Sequence, residues 1–250
     1  MNELVSIITP CYNSEKYIAN TIESVIKQTY QNWEMIIIDD CSTDSTIKII
    51  EEIVKTETRI KLLKLDTNSG AAKSRNAGIN IAAGKYLTFL DADDVWFSTF
   101  IQNSIQTIKT TQIAFVFSSY KRSNENLEFI YSDFIVPKKV NYTDILKSNS
   151  ISCLTAFIDV SVLGVKKMPD ILKRQDMGLW LQYLKEIPFA HGIQEPQAIY
   201  RIRENSLSRN KKKLLKYQWQ FYREVEKLSV FESIYYMLHW MYRGFMKYRN

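Results

Sequence analysis

Little in this chain breaks or cross-links it: 250 residues hold only seven Gly, five Pro, three Cys and two His. So few breakers exclude a many-turned β sandwich or a repeat array and favour long regular elements. Cys11, Cys41 and Cys153 are odd in number and form no C-x-x-C pair. That argues against a disulfide frame or a zinc site and fits reduced thiols in the cytosol. No run of about 18 apolar residues offers a membrane-spanning helix. Residues 1–10 also lack the basic start and long apolar stretch of a secretory signal, so a cytosolic protein is expected. No G-x-G-x-x-G follows the first apolar run, which counts against a dinucleotide-binding domain.

What is present is globular: 46% hydrophobic and 24% charged residues rule out wholesale disorder and collagen-like structure. The length suits one large α/β domain, or a domain with a helical appendage. Charge is uneven. Residues 1–200 carry 21 Lys or Arg against 23 Asp or Glu, whereas residues 201–250 carry 12 against 4. A basic end segment seeks phosphate, in nucleic acid or on an anionic membrane, unless it is simply a solvated face.

Through the first ninety residues the hydrophobic period alternates. Short apolar runs at 5–9, 35–39, 60–65 and 86–90 read as buried strands, and helical spacing fills 17–28, 45–55 and 71–82 between them. That order predicts a mostly parallel sheet flanked by helices, with ligands beyond the carboxyl ends of the strands. Further on, helices are expected at 98–110, 142–148 and 175–184, strands at 114–120 and 152–158, and an extended segment at 127–136. A soft boundary falls near residue 210. Beyond it, Val230, Ile234, Leu238, Met241, Phe245 and Tyr248 recur along one side of a helix, with Arg243, Lys247 and Arg249 near its end. Such a helix suits a membrane interface, or packing on the body or on a second subunit.

The stretch FLDADDVW at 89–96 crowds Asp91, Asp93 and Asp94 behind a buried strand. Three carboxylates so close repel one another unless positive charge compensates, and a divalent hard cation with a nucleotide diphosphate as co-ligand would supply it. The alternative is that one caps a helix starting near residue 97, which suits Asp94 best. In IIIDDCSTDST at 36–46, Asp44 or Ser45 reads as an N-cap. Asp40, at a strand's carboxyl end, can accept a hydrogen bond from the N3–H of a uracil. In TPCYNSE at 9–15, Tyr12 either stacks on a base or packs internally.

These segments resemble a known family. VSIITPCYN, IIIDDCSTDST, NSGAAKSRNAG and YLTFLDADD, in this order and spacing, are similar to the nucleotide-sugar half of family 2 glycosyltransferases of the GT-A fold. RQDMGLWLQYL at 174–184 extends the likeness into the acceptor half. The resemblance implies a GT-A domain over 1–210, with a nucleotide-sugar half at 1–96 and an acceptor half at 97–210, followed by a basic amphipathic tail at 211–250. By the same likeness Pro10 and Tyr12 would line the base, Asp40 would read the uracil, and Asn68 and Arg75 would contact the nucleotide. Asp91 would lie by the ribose, Asp93 would hold Mn2+ or Mg2+ on the diphosphate, and Asp176 would be the catalytic base. For Asn68 and Gly70 the plainer reading is a tight turn, for Arg75 a surface salt bridge, and for Asp176 a helix cap. Relatives carry a metal-binding histidine in the segment matching YRIRENSLS at 200–208, where this chain has Arg203. His191 and His239 lie outside that segment and read as structural.

The resemblance thus implies an inverting transferase that moves a hexose or N-acetylhexosamine from a UDP-sugar to a saccharide acceptor for bacterial surface polysaccharide, and the tail adds the expectation that this acceptor is lipid-linked, as an undecaprenyl-diphosphate saccharide. The transferase would sit peripherally on the inner face of the cell membrane. The alternative is a module that holds a nucleotide sugar without transferring it. No nucleic-acid-reading motif accompanies the basic tail.

Overall fold

The computed structural model describes residues 3–129, 131–203 and 211–247. Alternation of period becomes alternation of element: β1 (Val5–Cys11), α1 (Ile18–Ile26), β2 (Trp33–Asp39), α2 (Thr46–Val54), β3 (Ile60–Lys64), α3 (Ala71–Ile81) and β4 (Tyr86–Phe89). Then come β5 (Val95–Trp96), α4 (Phe100–Thr111), β6 (Phe115–Ser123), β7 (Lys139–Val140), α5 (Tyr142–Lys147), β8 (Phe157–Asp159), α6 (Val160–Leu163), α7 (Gln175–Leu184) and β9 (Ala190–Arg201). Two helices finish the chain, α8 (Lys211–Gln220) and α9 (Val230–Lys247), with a π-helical turn at Phe221–Val225 between them.

The strands form one sheet in the order β3-β2-β1-β4-β8-β6-β9-β5, with β7 on β9. Its first four strands are parallel, and β8 enters antiparallel to both β4 and β6. Side chains alternate across the sheet as the strand period demands. Ile8, Ile36, Ile38 and Phe89 face one core with Phe115 and Trp180, while Ile7, Met35, Ile37 and Tyr86 face the other with Phe100 and Phe157. Helix α3 lies close on the first face. A Cβ added at Gly78 would stand 2.6 Å from Ile38 Cδ1 and 2.8 Å from Ile8 Cγ2, so only glycine admits this approach.

Several expectations need correction. The segment at 127–136, expected to be extended, joins no ladder among the described residues: it meets β6 by the Tyr120–Phe134 bridge, by Ser132 accepting from Arg122 and by Val136 N donating to Ser119 Oγ at 3.0 Å, while most of its side chains are exposed. The strand expected at 152–158 begins as a 3-10 turn, Cys153–Thr155, and only its end is β8. Asp94 caps no helix: α4 starts later, and Asp94 is buried with Oδ1 accepting from Arg201 N at 2.8 Å. The long strand β9 was not foreseen. Its middle, Gln194 and Glu195, is polar and exposed at a bulged pairing with β6, which hides the period.

The segment beyond 210 shares the body's core, since Phe221 and Tyr222 are buried in the cluster that contains Trp180. Helix α9 packs by Ser233, Tyr236 and Met237. The stripe marked in the sequence faces away instead: Val230, Ile234, Leu238 and Met241 are all exposed, as are Phe231, Tyr235 and Tyr242. Nothing is described of the Phe245 side chain, and Tyr248 lies outside the described residues.

Candidate active site

Each of the first strands ends in a residue singled out above. Pro10 closes β1 opposite Ile38, and Tyr12, just beyond, is 49% exposed, so it is not core packing. The two aspartates after β2 divide their work. Asp39 is buried, with Oδ2 accepting from Ser42 N at 2.9 Å and Oδ1 from the Cys11 thiol. Asp40 accepts from Ser69 N at 2.7 Å and Gly70 N at 2.8 Å. These bonds fix its carboxylate while leaving further lone pairs for a donor in front of it. Gly70, at φ 84°, takes the left-handed region that a side chain would strain, while the exposed Asn68 lies in the same loop.

Arg75 is no surface residue. From α3 its side chain, 9% exposed, donates through Nη2 to Asp91 Oδ1 after β4. Burial opposes its charge, but Asp91 and, further off, Asp176 outweigh that and raise its pKa. Asp176, in the first turn of α7, is thereby placed within electrostatic reach of the Arg75–Asp91 pair. It makes no capping bond; its Oδ2 accepts from Asn149 Nδ2 at 3.4 Å.

Asp93 stands between two influences. Burial, then Asp91, push its carboxyl above the usual carboxylate range, and Arg203 pulls it back through an ion pair at 2.8 Å. Burial, then Asp93 and Asp91, drive Asp94 higher still, and its Oδ2 is buried without a partner among the described residues. Crowding thus disfavours three charged carboxylates at once, and Arg75, Arg203 and Arg201 offset part of their charge. No group of three His, Cys, Asp or Glu converges among the described residues, so an all-protein cage is not on offer. One carboxylate whose side chain stays 19% exposed fits a hard cation shared with substrate phosphates.

Four residues were missed by the sequence reading. The Tyr17 ring carries the Arg201 guanidinium at 4.7 Å and that of Arg203 at 5.8 Å, and its hydroxyl donates to Glu125 at 3.0 Å. Arg201, from β9, ties Asp94 to the loop at 125. Asn149 orients Asp176, and Arg174 precedes α7 in the left-handed region at φ 69°. Only the Y-R-x-R spacing at 200–203 hinted at any of them.

A parallel half-sheet with acidic loops at its carboxyl ends, joined to a mixed half that supplies a further carboxylate, is the architecture of a GT-A transferase. The model of the family described as "Glycosyl transferase family 2" matches residues 6–161, and this chain belongs to that family. It is a glycosyltransferase. Over 230 residues it is 40% identical to TuaG of Bacillus subtilis, a glycosyltransferase named for teichuronic acid biosynthesis, covering 92% of this chain and 91% of that one. It is 37% identical over 246 residues to WfgD of Escherichia coli, a UDP-Glc:alpha-D-GlcNAc-diphosphoundecaprenol beta-1,3-glucosyltransferase, covering 98% of this chain and 94% of WfgD. Among solved structures, S. aureus TarS in complex with UDP-GlcNAc superposes with a TM-score of 0.73 at 20% identity, covering 98% of this chain and 73% of that one.

Proposed function

We propose that this chain transfers a hexose or N-acetylhexosamine from a UDP-sugar, with inversion, to a hydroxyl of a saccharide carried on an isoprenoid diphosphate, in bacterial surface polysaccharide synthesis. What supports this reading is Asp40 just past β2, the Arg75–Asp91 pair and Asp93 just past β4, and Asp176 within electrostatic reach of Arg75. The name of WfgD, with its diphosphoundecaprenol-linked acceptor, favours the same acceptor class, and that of TuaG favours a polysaccharide product.

Tyr12 offers a face for the base, and Asp40, held by two backbone N–H groups, accepts from the uracil ring. Asp91, anchored by Arg75, receives the ribose hydroxyls. Asp93 would hold Mn2+ or Mg2+, and that cation would offset the charge growing on the leaving diphosphate. Arg203 stands ready to pair with that diphosphate. Asp176 takes the proton from the attacking hydroxyl, and general-base help of this kind gives roughly 10² to 10⁴-fold. A single displacement inverts the anomeric carbon.

The tail from residue 211 onward, helical in α8 and α9 among the described residues, rests its exposed apolar stripe on the inner leaflet. No helix among the described residues is long and apolar enough to cross a membrane. The stripe's aromatics and the basic surplus beyond residue 200 suit an anionic interface.

The test is UDP release from a panel of UDP-hexoses and UDP-N-acetylhexosamines, with short isoprenoid-diphosphate sugars as acceptors and Mn2+ present. Asp93→Ala and Asp176→Asn should each lower turnover by about 10² or more. Full activity in both variants ends the reading.

A further inference from the structure

Arg174 is held in a backbone conformation that its side chain makes costly. Its φ of 69° is a left-handed conformation that glycine would take without strain, yet an arginine occupies it. The side chain is half-buried, its Nε is buried with no hydrogen-bond partner among the described residues, and burial works against its charge with Asp176 opposing. A half-buried guanidinium whose Nε lacks an acceptor can receive an anion that a ligand brings.

Its position indicates which anion. Arg174 is two residues before Asp176, and its Cζ lies 5.4 Å from the ring centroid of Trp240 on α9. The outer side of α9, with Phe231, Ile234, Leu238 and Tyr242, is the exposed apolar stripe. One arginine therefore joins the helix that faces lipid to the helix that carries the base. Resting on the acceptor class given under Proposed function, we propose that Arg174 is the acceptor's anion site. Its guanidinium binds the diphosphate that links lipid to sugar, and this sets the sugar hydroxyl before Asp176. The donor diphosphate is assigned to Asp93 and Arg203 under Proposed function and is not the ligand meant.

The probe is farnesyl diphosphate, titrated calorimetrically into the full chain already saturated with UDP and Mn2+. The variants are Arg174→Gly, which suits the backbone, and Arg174→Lys, which keeps the charge but not the fork. The wild type should bind, Arg174→Gly should bind about ten- to hundredfold more weakly, and Arg174→Lys should fall between. Equal binding by wild type and Arg174→Gly overturns the site. A tenfold loss of UDP affinity in Arg174→Gly would assign the residue to the donor and overturn it too. So would a loss confined to flotation on phosphatidylglycerol vesicles, which would assign it to lipid headgroups. If the wild type fails to bind farnesyl diphosphate yet transfers sugar to an alkyl glycoside, the site falls while the transferase reading stands. If Arg174-dependent binding is seen without transfer to any diphosphate acceptor, the anion site stands and the acceptor reading falls.

Discussion

Replacing Arg75 by Met tests the electrostatic centre of the site. The change keeps most of the buried stem and removes the charge that faces Asp91. Breaking a buried ion pair from one side costs about 3–5 kcal/mol, because the remaining charge is stranded. Here the stranded group is Asp91, whose side chain is 33% exposed against 9% for Arg75, so water recovers part of the loss. About 2–3 kcal/mol remains. For a chain of this size, that lowers Tm by about 4–12 °C. Asp91→Asn strands the more deeply buried arginine instead, with only Asp176 further off to compensate, and should cost at least as much. The double variant, leaving no charge alone, should recover about 2 kcal/mol relative to the sum of the singles. Urea unfolding of the four proteins gives the cycle, and UDP calorimetry on the same samples should show both singles binding nucleotide more weakly. A single-variant cost below about 0.5 kcal/mol, or no coupling in the cycle, would refute the argument that this pair is a stressed, buried unit.

Three further outcomes are expected. Gly78→Ala should destabilise by about 1 kcal/mol net, overpacking against Ile38 and Ile8 outweighing the gain in helix propensity, and a rise in the urea midpoint would contradict the close approach of α3. Lys85, then Tyr86, hold the Glu3 carboxyl at about 2, below its ordinary 4.5. Its stabilising contribution is therefore complete above pH 4.5 and is lost as pH falls toward 2. Screened by solvent it is about 1 kcal/mol, so Glu3→Gln should be weaker than wild type at pH 7 and equal to it near pH 2 in urea titrations. Leu238→Glu with Tyr242→Glu, both on the exposed side of α9, should abolish flotation with anionic vesicles while moving Tm by less than about 2 °C; retained flotation would show that another surface meets the membrane.

The amino-acid order alone determined the half-sheet and its loops. β1 to β4 are apolar runs of the right length, and each helix between them shows its period, because these elements are built from neighbours in sequence. Asp91, Asp93, Asp40 and Asp176 could be picked out as candidates for a related reason: each lies inside a compact segment of distinctive residue types. Long-range assembly was not legible in that way. Which of Asp39 and Asp40 turns inward to Cys11, and which meets the Ser69–Gly70 loop, depends on β2 lying between β1 and β3. That Arg75 is buried on Asp91, that Arg203 reaches Asp93 over the Tyr17 ring, and that the apolar stripe of α9 faces outward were decided only when distant segments packed. Local periodicity says that a helix has an apolar side, but not whether protein covers it. In α9, Ser233, Tyr236 and Met237 meet the core and leave the longer stripe bare, a choice between two faces of one helix that is settled by which face meets Tyr222 and its neighbours.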